Sequence, residues 1–145
     1  MFYFEDVPLG ASIETPGWTL TEADVLRYAA LTGDWEPRTT DEEFARHTEA
    51  GTRVIPDLLP LCISIGLGWR IPHPPLVVLA FMGLEWNLLL PLRVGDTIRS
   101  RSTAVAKRAM KESGVVVEEH EIVNQHGTVV QSGKLTFLVA KRPTT

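Results

Sequence analysis

The sequence predicts an α+β domain in which an antiparallel sheet curls around one central apolar helix. Three observations point to this arrangement. Pro56 to Trp69 is apolar on nearly every side, with proline confined to its first turn. Everything after Pro75 divides into long apolar-rich runs at hairpin spacing. Ahead of both stand a well-signalled helix and a short polar one, so the helices come first and most of the strands follow.

The first helix spans Thr21 to Thr32. Thr21 and Asp24 have the spacing of a capping box, Val25, Tyr28 and Ala29 supply an apolar stripe, and Gly33 stops the turn. A short polar helix is expected over Asp41 to His47, with acidic residues at its positive end. Pro56 to Trp69 then forms the buried helix, where a proline in the first turn removes an N–H that has no helical partner anyway. Gly66 and Gly68 weaken that helix and suit close packing.

Strands are expected over Leu76 to Leu90, Thr97 to Met110, Val115 to Val123 and Thr128 to Ala140. The turns between them fall at Pro91 to Asp96, Glu112-Ser-Gly114 and Asn124-Gln-His-Gly127. In the last strand Val129, Gln131, Gly133, Leu135, Phe137 and Val139 share one face, and Val130, Ser132, Lys134, Thr136 and Leu138 share the other.

Composition narrows the function classes. The chain has 145 residues, with 14 Lys and Arg against 18 Asp and Glu, a net charge of −4 and no basic block, which argues against a nucleic-acid partner. A chain of this length buries roughly 70% of its unfolded surface and needs no staple. Its lone cysteine, Cys62, reads as a small buried hydrophobe, and no Cys/His cluster has metal spacing. This usage suits a reducing cytoplasm, and neither a metal nor a redox cofactor is implied. The apolar stretches fall short of the ~20 residues that a membrane span needs, and the N-terminus has no signal-peptide pattern. With no repeat or linker, residues 1–145 read as one domain.

Two stretches carry a family resemblance. Thr19-Leu-Thr-Glu-Ala-Asp24, running into Tyr28-Ala-Ala-Leu-Thr-Gly-Asp34-Trp-Glu-Pro37, is similar to the helix and GDxNP loop of the MaoC-like hydratase/dehydratase branch of the hot-dog fold. Leu90-Pro-Leu-Arg-Val-Gly-Asp96, with long strands after it, resembles that family's turn into its meander. The resemblance implies a single hot-dog domain acting on an enoyl or 3-hydroxyacyl thioester, or a related natural-product intermediate. The carrier would be coenzyme A or an acyl carrier protein. It also implies a homodimer, or pairing with a different hot-dog chain, with the pocket near the subunit contact.

The family motif reads GDxNPxH, in which the Asp and the His together activate the water. Here the stretch is Gly33-Asp-Trp-Glu-Pro-Arg-Thr39, so Asp34 is kept, Glu36 replaces the Asn and Thr39 replaces the His. Threonine cannot shuttle a proton near neutral pH as histidine does. The family's R-I-x-H-G lines up with Arg53-Val-Ile-Pro-Asp57, which puts Asp57 where a glycine brings a backbone N–H to the thioester oxygen.

The resemblance makes Asp34 the candidate general base; the competing role is a carboxylate that turns the chain after Gly33. Asp57 is either an acid, base or nucleophile, or the N-cap of the central helix, accepting from the Leu59 N–H. Thr39 either positions a water or precedes a helix cap. Glu36, Trp35, Arg53 and Leu58 are candidate substrate contacts: a second carboxylate, an aromatic wall, a cation that fixes either a loop or a coenzyme A phosphate, and an apolar contact at the helix start. Of the histidines, His47, His120 and His126 read as surface residues, and His73 sits in a Pro-rich loop. The remaining tryptophans, Trp18, Trp69 and Trp86, suit a pocket, the core or an interface. The functional expectation is a hydratase/dehydratase with a remodelled acid/base site. The alternatives are an acyl-CoA thioesterase using Asp57 and a non-catalytic hot-dog subunit that binds acyl groups.

Overall fold

The computed structural model of the chain describes residues 1–143. Two short strands, β1 (Ser12–Glu14) and β2 (Trp18–Thr19), precede α1 (Glu22–Thr32), α2 (Pro37–Thr40), α3 (Glu42–Ala45) and α4 (Leu59–Leu67). Four long strands follow: β3 (Val78–Leu88), β4 (Thr97–Ala109), β5 (Ser113–Val123) and β6 (Val129–Ala140). The sheet is antiparallel in the order β1-β4-β5-β6-β3, and β2 also pairs with β4. The helix α4 lies over β4 and β5, the expected curl of a sheet around one helix.

The sequence signals explain most boundaries. Thr21 caps α1 by accepting from the Asp24 N–H, while the Asp24 carboxylate accepts from the Thr21 N–H at 2.9 Å. Gly33 closes the helix in the left-handed region at φ 75°, where a side chain would be strained. The Asn124 side chain accepts from the N–H groups of His126 and Thr128, both at 3.0 Å, and shapes the β5–β6 turn.

Three expectations change. The polar helix is two single turns: Pro37 starts α2 earlier than expected, and Asp41 is extended and caps α3 by accepting from the Phe44 N–H. The Asp57 carboxylate does not cap α4. Leu58 holds that position, and the Leu59 N–H donates to the Pro56 carbonyl at 3.1 Å. Nor is α4 buried all round. Leu59, Pro60, Leu61, Ser64 and Leu67 face the sheet, whereas Cys62, Ile65 and, just beyond the helix, Trp69 are exposed. Cys62 is therefore a surface thiol on the helix's far side.

Two apolar clusters fill the concave face. Leu20, Val25, Ile55, Leu59, Leu92, Ile98, Ile122 and Val130 form one, and Phe4, Val7, Ala104, Val116 and Val139 the other. The alternation along β6 is broken once. A one-residue slip against β5 between Ile122 and Val123 lets Val130 and Gln131 both turn inward. At the other end of the sheet, β3 pairs only with β6 among the described residues. Leu79, Phe81, Met82, Leu84 and Leu88 on this strand are each about half exposed.

The β3–β6 contact depends on Gly133. A Cβ there would stand 1.9 Å from the Glu85 carbonyl oxygen and 2.6 Å from the Trp86 ring, so any side chain must push the β3 backbone away. Gly133→Ala is expected to lower the melting temperature by roughly 3–10 °C. An unchanged melting curve would show that β3 yields freely.

Candidate active site

The site grows from two chain reversals, the loop that leaves α1 and the segment that enters α4. After Gly33 the Asp34 N–H donates to Thr32 Oγ1 at 3.2 Å, and Asp34 and Trp35 both stand exposed. Pro37 then opens α2, which folds Arg38 back over Glu36. The Arg38 guanidinium donates to both Glu36 oxygens, through Nε to Oε1 and through Nη2 to Oε2, the latter at 2.9 Å. Its Nη2 also donates to Asp57 Oδ2 at 3.3 Å, linking the loop to the start of α4. The Glu36 hydrogen bonds, with help from Asp57, raise the Arg38 pKa against the effect of burial and hold the guanidinium charged.

The main chain of Asp57 is anchored from the sheet. Its carbonyl accepts from Gln131 Nε2 at 2.8 Å, and Gln131 Oε1 accepts from the Trp86 indole N–H at 2.9 Å. Gln131 is 4% exposed, so this amide lies in the core with both ends satisfied. The adjoining segment is strapped as well: Val54 N–H donates to the Arg38 carbonyl at 3.1 Å and Ile55 N–H to that of Leu92 at 2.8 Å.

Beside these ties opens a cavity of about 710 Å³. Arg38, Asp57 and Gln131 supply polar groups to its wall, Leu88 to Leu92 and Val54, Ile55 and Pro60 line it with apolar surface, and Arg93 and Glu49 add charge. Arg93 donates to the Ala50 carbonyl at 2.8 Å. The phenol of Tyr28 packs against the core. Burial raises its pKa first, and nearby Asp34, Cys62 and Asp57 add to the rise.

The candidate residues thus separate. Glu36 and Asp57 are brought together through Arg38, and Asp57 also lines the cavity. Asp34 and Trp35 lie on the loop outside its wall, and Leu58 is 48% exposed at the head of α4. Thr39 is 3% exposed, and its hydroxyl donates to the Glu36 carbonyl at 3.0 Å, so it secures α2 from inside. Arg53 is a structural tie rather than a free cation for a phosphate. It donates to the two Glu22 oxygens at 2.7 and 2.9 Å and to Glu42 at 3.3 Å, joining the first turns of α1 and α3. The Glu42 carboxyl is held below the ordinary range, first by the Thr52 hydroxyl and then by the Arg53 backbone and side chain.

His47, His73 and His126 are exposed, but His120 is not. It follows Val116 and precedes Ile122 at strand period on the concave face, its Nε2 lies 2.8 Å from Glu118 Oε2, and its Nδ1 is enclosed without a partner. Its side chain is 12% exposed and lines a smaller pocket with Glu85, Glu119 and Lys134, apart from the cavity that Asp57 lines. Arg38 and Gln131 are the functional candidates that the sequence did not announce. Gln131 was detectable as a polar residue in phase with an apolar strand face, whereas no pattern marked Arg38. Among the described residues no three His, Cys, Asp or Glu side chains converge as a metal site, and no helix is long and apolar enough to cross a membrane.

Removing the buried amide strands two polar groups at once, the Asp57 carbonyl and the Trp86 N–H. Gln131→Leu is expected to cost roughly 2–4 kcal/mol in chemical denaturation and to alter the Trp86 fluorescence. A variant as stable as the parent would show that α4 is seated by other contacts.

With this geometry established, comparison places the chain among known proteins. Residues 6–125 match the family model described as MaoC like domain. The chain is 28% identical to an (R)-specific enoyl-CoA hydratase of Rhodospirillum rubrum, over 98% of this chain and 94% of that protein. It is 34% identical to a 3-hydroxybutyryl-CoA dehydratase of Methylorubrum extorquens, over 68% of this chain and 60% of that one. A solved structure described as a monoamine oxidase regulatory protein from Archaeoglobus fulgidus superposes with a TM-score of 0.92 at 34% identity, covering 98% of this chain and 96% of its own. An α4 wrapped by a single antiparallel sheet, the α1 exit loop and the family match agree, and the chain belongs to the MaoC-like dehydratase family of the hot-dog fold.

Proposed function

We propose that the chain, acting as one hot-dog unit, adds water across the C2–C3 double bond of an enoyl thioester and removes it in the reverse direction. The observation that carries this is the placement of Asp57 on the wall of the cavity, tied through Arg38 to the loop that leaves α1 and holds Asp34. The rest of that wall is a mixture of apolar and polar groups. Asp34 takes the proton of the attacking water as its oxygen bonds to C3, and the electron pair moves through C2 to the thioester oxygen. As that enolate collapses, C2 takes the proton that Asp34 received from the water, which restores the Asp34 carboxylate. Asp57 is the second acid/base group, in place of the histidine that Thr39 displaces. Membership of a family with enoyl-CoA hydratase and hydroxybutyryl-CoA dehydratase relatives supports a coenzyme A or carrier-protein thioester as substrate.

The working form is a homodimer. Among the described residues the outer edge of β3 is unpaired, the strand carries half-exposed apolar side chains, and the far side of α4 exposes Cys62 and Ile65, with Trp69 just beyond it. An uncovered strand of this length is a template for a second copy. A reducing cytoplasm suits the unpaired, exposed Cys62.

Two experiments bear on this. A short-chain trans-2-enoyl-CoA is expected to lose its conjugated absorbance with the wild-type protein. Asp34→Asn should lower the rate about 10²- to 10⁴-fold at an unchanged melting temperature. Full activity in that variant, or no turnover of any enoyl thioester by the wild type, would contradict the proposal. In light scattering at micromolar concentration the protein should run at twice the mass of one chain, and a monomer there would remove the dimer.

A further inference from the structure

We infer that Arg38 is the group that receives the substrate's thioester oxygen and stabilises the negative charge that gathers there. This rests on the hydratase reading given above. Adding water at C3 sends an electron pair to that oxygen, so the site must present hydrogen-bond donors where the charge forms. At the start of α4 the Asp57 and Leu58 N–H groups have no hydrogen-bond partner among the described residues, but the Leu59 N–H is taken by the Pro56 carbonyl and Pro60 has none. The Asp57 carboxylate entering the helix there opposes an oxyanion, so what the helix lacks is a positive charge.

Arg38 supplies what the helix lacks. Its Nε and Nη2 are committed to Glu36 and Asp57, while Nη1 has no hydrogen-bond partner among the described residues. The residue lines the cavity, and its side chain is 44% exposed. The fork on Glu36 fixes the plane of the guanidinium before substrate arrives, so the two Nη1 N–H bonds can donate without reorganisation. The contact with Asp57 sets a positive charge against that carboxylate. Ion pairs this exposed add little to folding, so substitution of Arg38 should leave the fold intact.

The test is a binding cycle that needs no turnover. Butyryl-CoA and its thioether analogue, in which the carbonyl is a methylene, are titrated calorimetrically into the wild type, Arg38→Met and Arg38→Lys. The wild type is expected to prefer the thioester by at least tenfold, R38M to bind both alike, and R38K to keep part of the preference. With enoyl-CoA, R38M should lose kcat about 10²-fold with KM little changed. If R38M does not fold, R38K carries the cycle alone, with a preference several-fold below the wild type. A thioester preference undiminished by either substitution would overturn the inference and leave hydration standing. A wild-type protein that binds neither ligand would overturn both.

Discussion

Asp57 is gripped at both ends, and much of the site's shape follows from that. Its carbonyl is held by the buried amide of Gln131, which is itself held by the Trp86 indole, while its carboxylate is held by Arg38. One short residue thereby joins the edge strand β3, the strand β6, the entry to α4 and the loop leaving α1. Because the Gln131 amide is enclosed, each of its hydrogen bonds matters more than an exposed one would, since losing either leaves a desolvated group unpaired. The ion pair at the outer end is a weak stabiliser by comparison, and its value lies in fixing direction.

The sheet makes this grip possible. Gly133 lets Trp86 lie against β6, and the slip between Ile122 and Val123 turns Gln131 inward beside Val130. Above that layer the first apolar cluster seats α4 and the Tyr28 end of α1; below it the second cluster closes around Phe4 and Val7. Between the two clusters runs a polar band that holds Glu118 and His120. Polar groups thus stand at two levels, one along the middle of β5 and one at the start of α4. Only the second adjoins the cavity that Asp57 lines.

Local rules made much of this legible in the sequence. The α1 caps and the β5–β6 turn rest on contacts a few residues apart, and they stand where the sequence placed them. The GDxNP-like loop and the turn at Gly95 and Asp96 identified the family. Long-range chemistry was hidden. Asp57 looked like a helix cap because its spacing to Leu59 is right, but Arg38 draws its carboxylate away and Pro56 takes the Leu59 N–H. For Arg53 a loop tie and a phosphate contact were both open, because the partner that makes it a tie, Glu22, lies 31 residues earlier. The apolar run over α4 signalled burial correctly for the face against the sheet, but could not show that the opposite face has no cover within one chain.

In the proposed chemistry Asp34 is the acid/base carboxylate, and close to its loop stands the Glu36–Arg38–Asp57 ion-pair cluster. Such a site can still run hydration if the charge formed on the thioester oxygen finds a donor and a carboxylate handles the water. A mass-spectrometric assay in H₂¹⁸O with mixed enoyl-, 3-hydroxyacyl- and saturated acyl-CoA thioesters tests this most directly. Hydration predicts that the enoyl thioester gains one labelled water with its thioester bond intact, and that the saturated thioester is unchanged. Release of free coenzyme A with the label in the carboxylate would contradict it and identify hydrolysis instead.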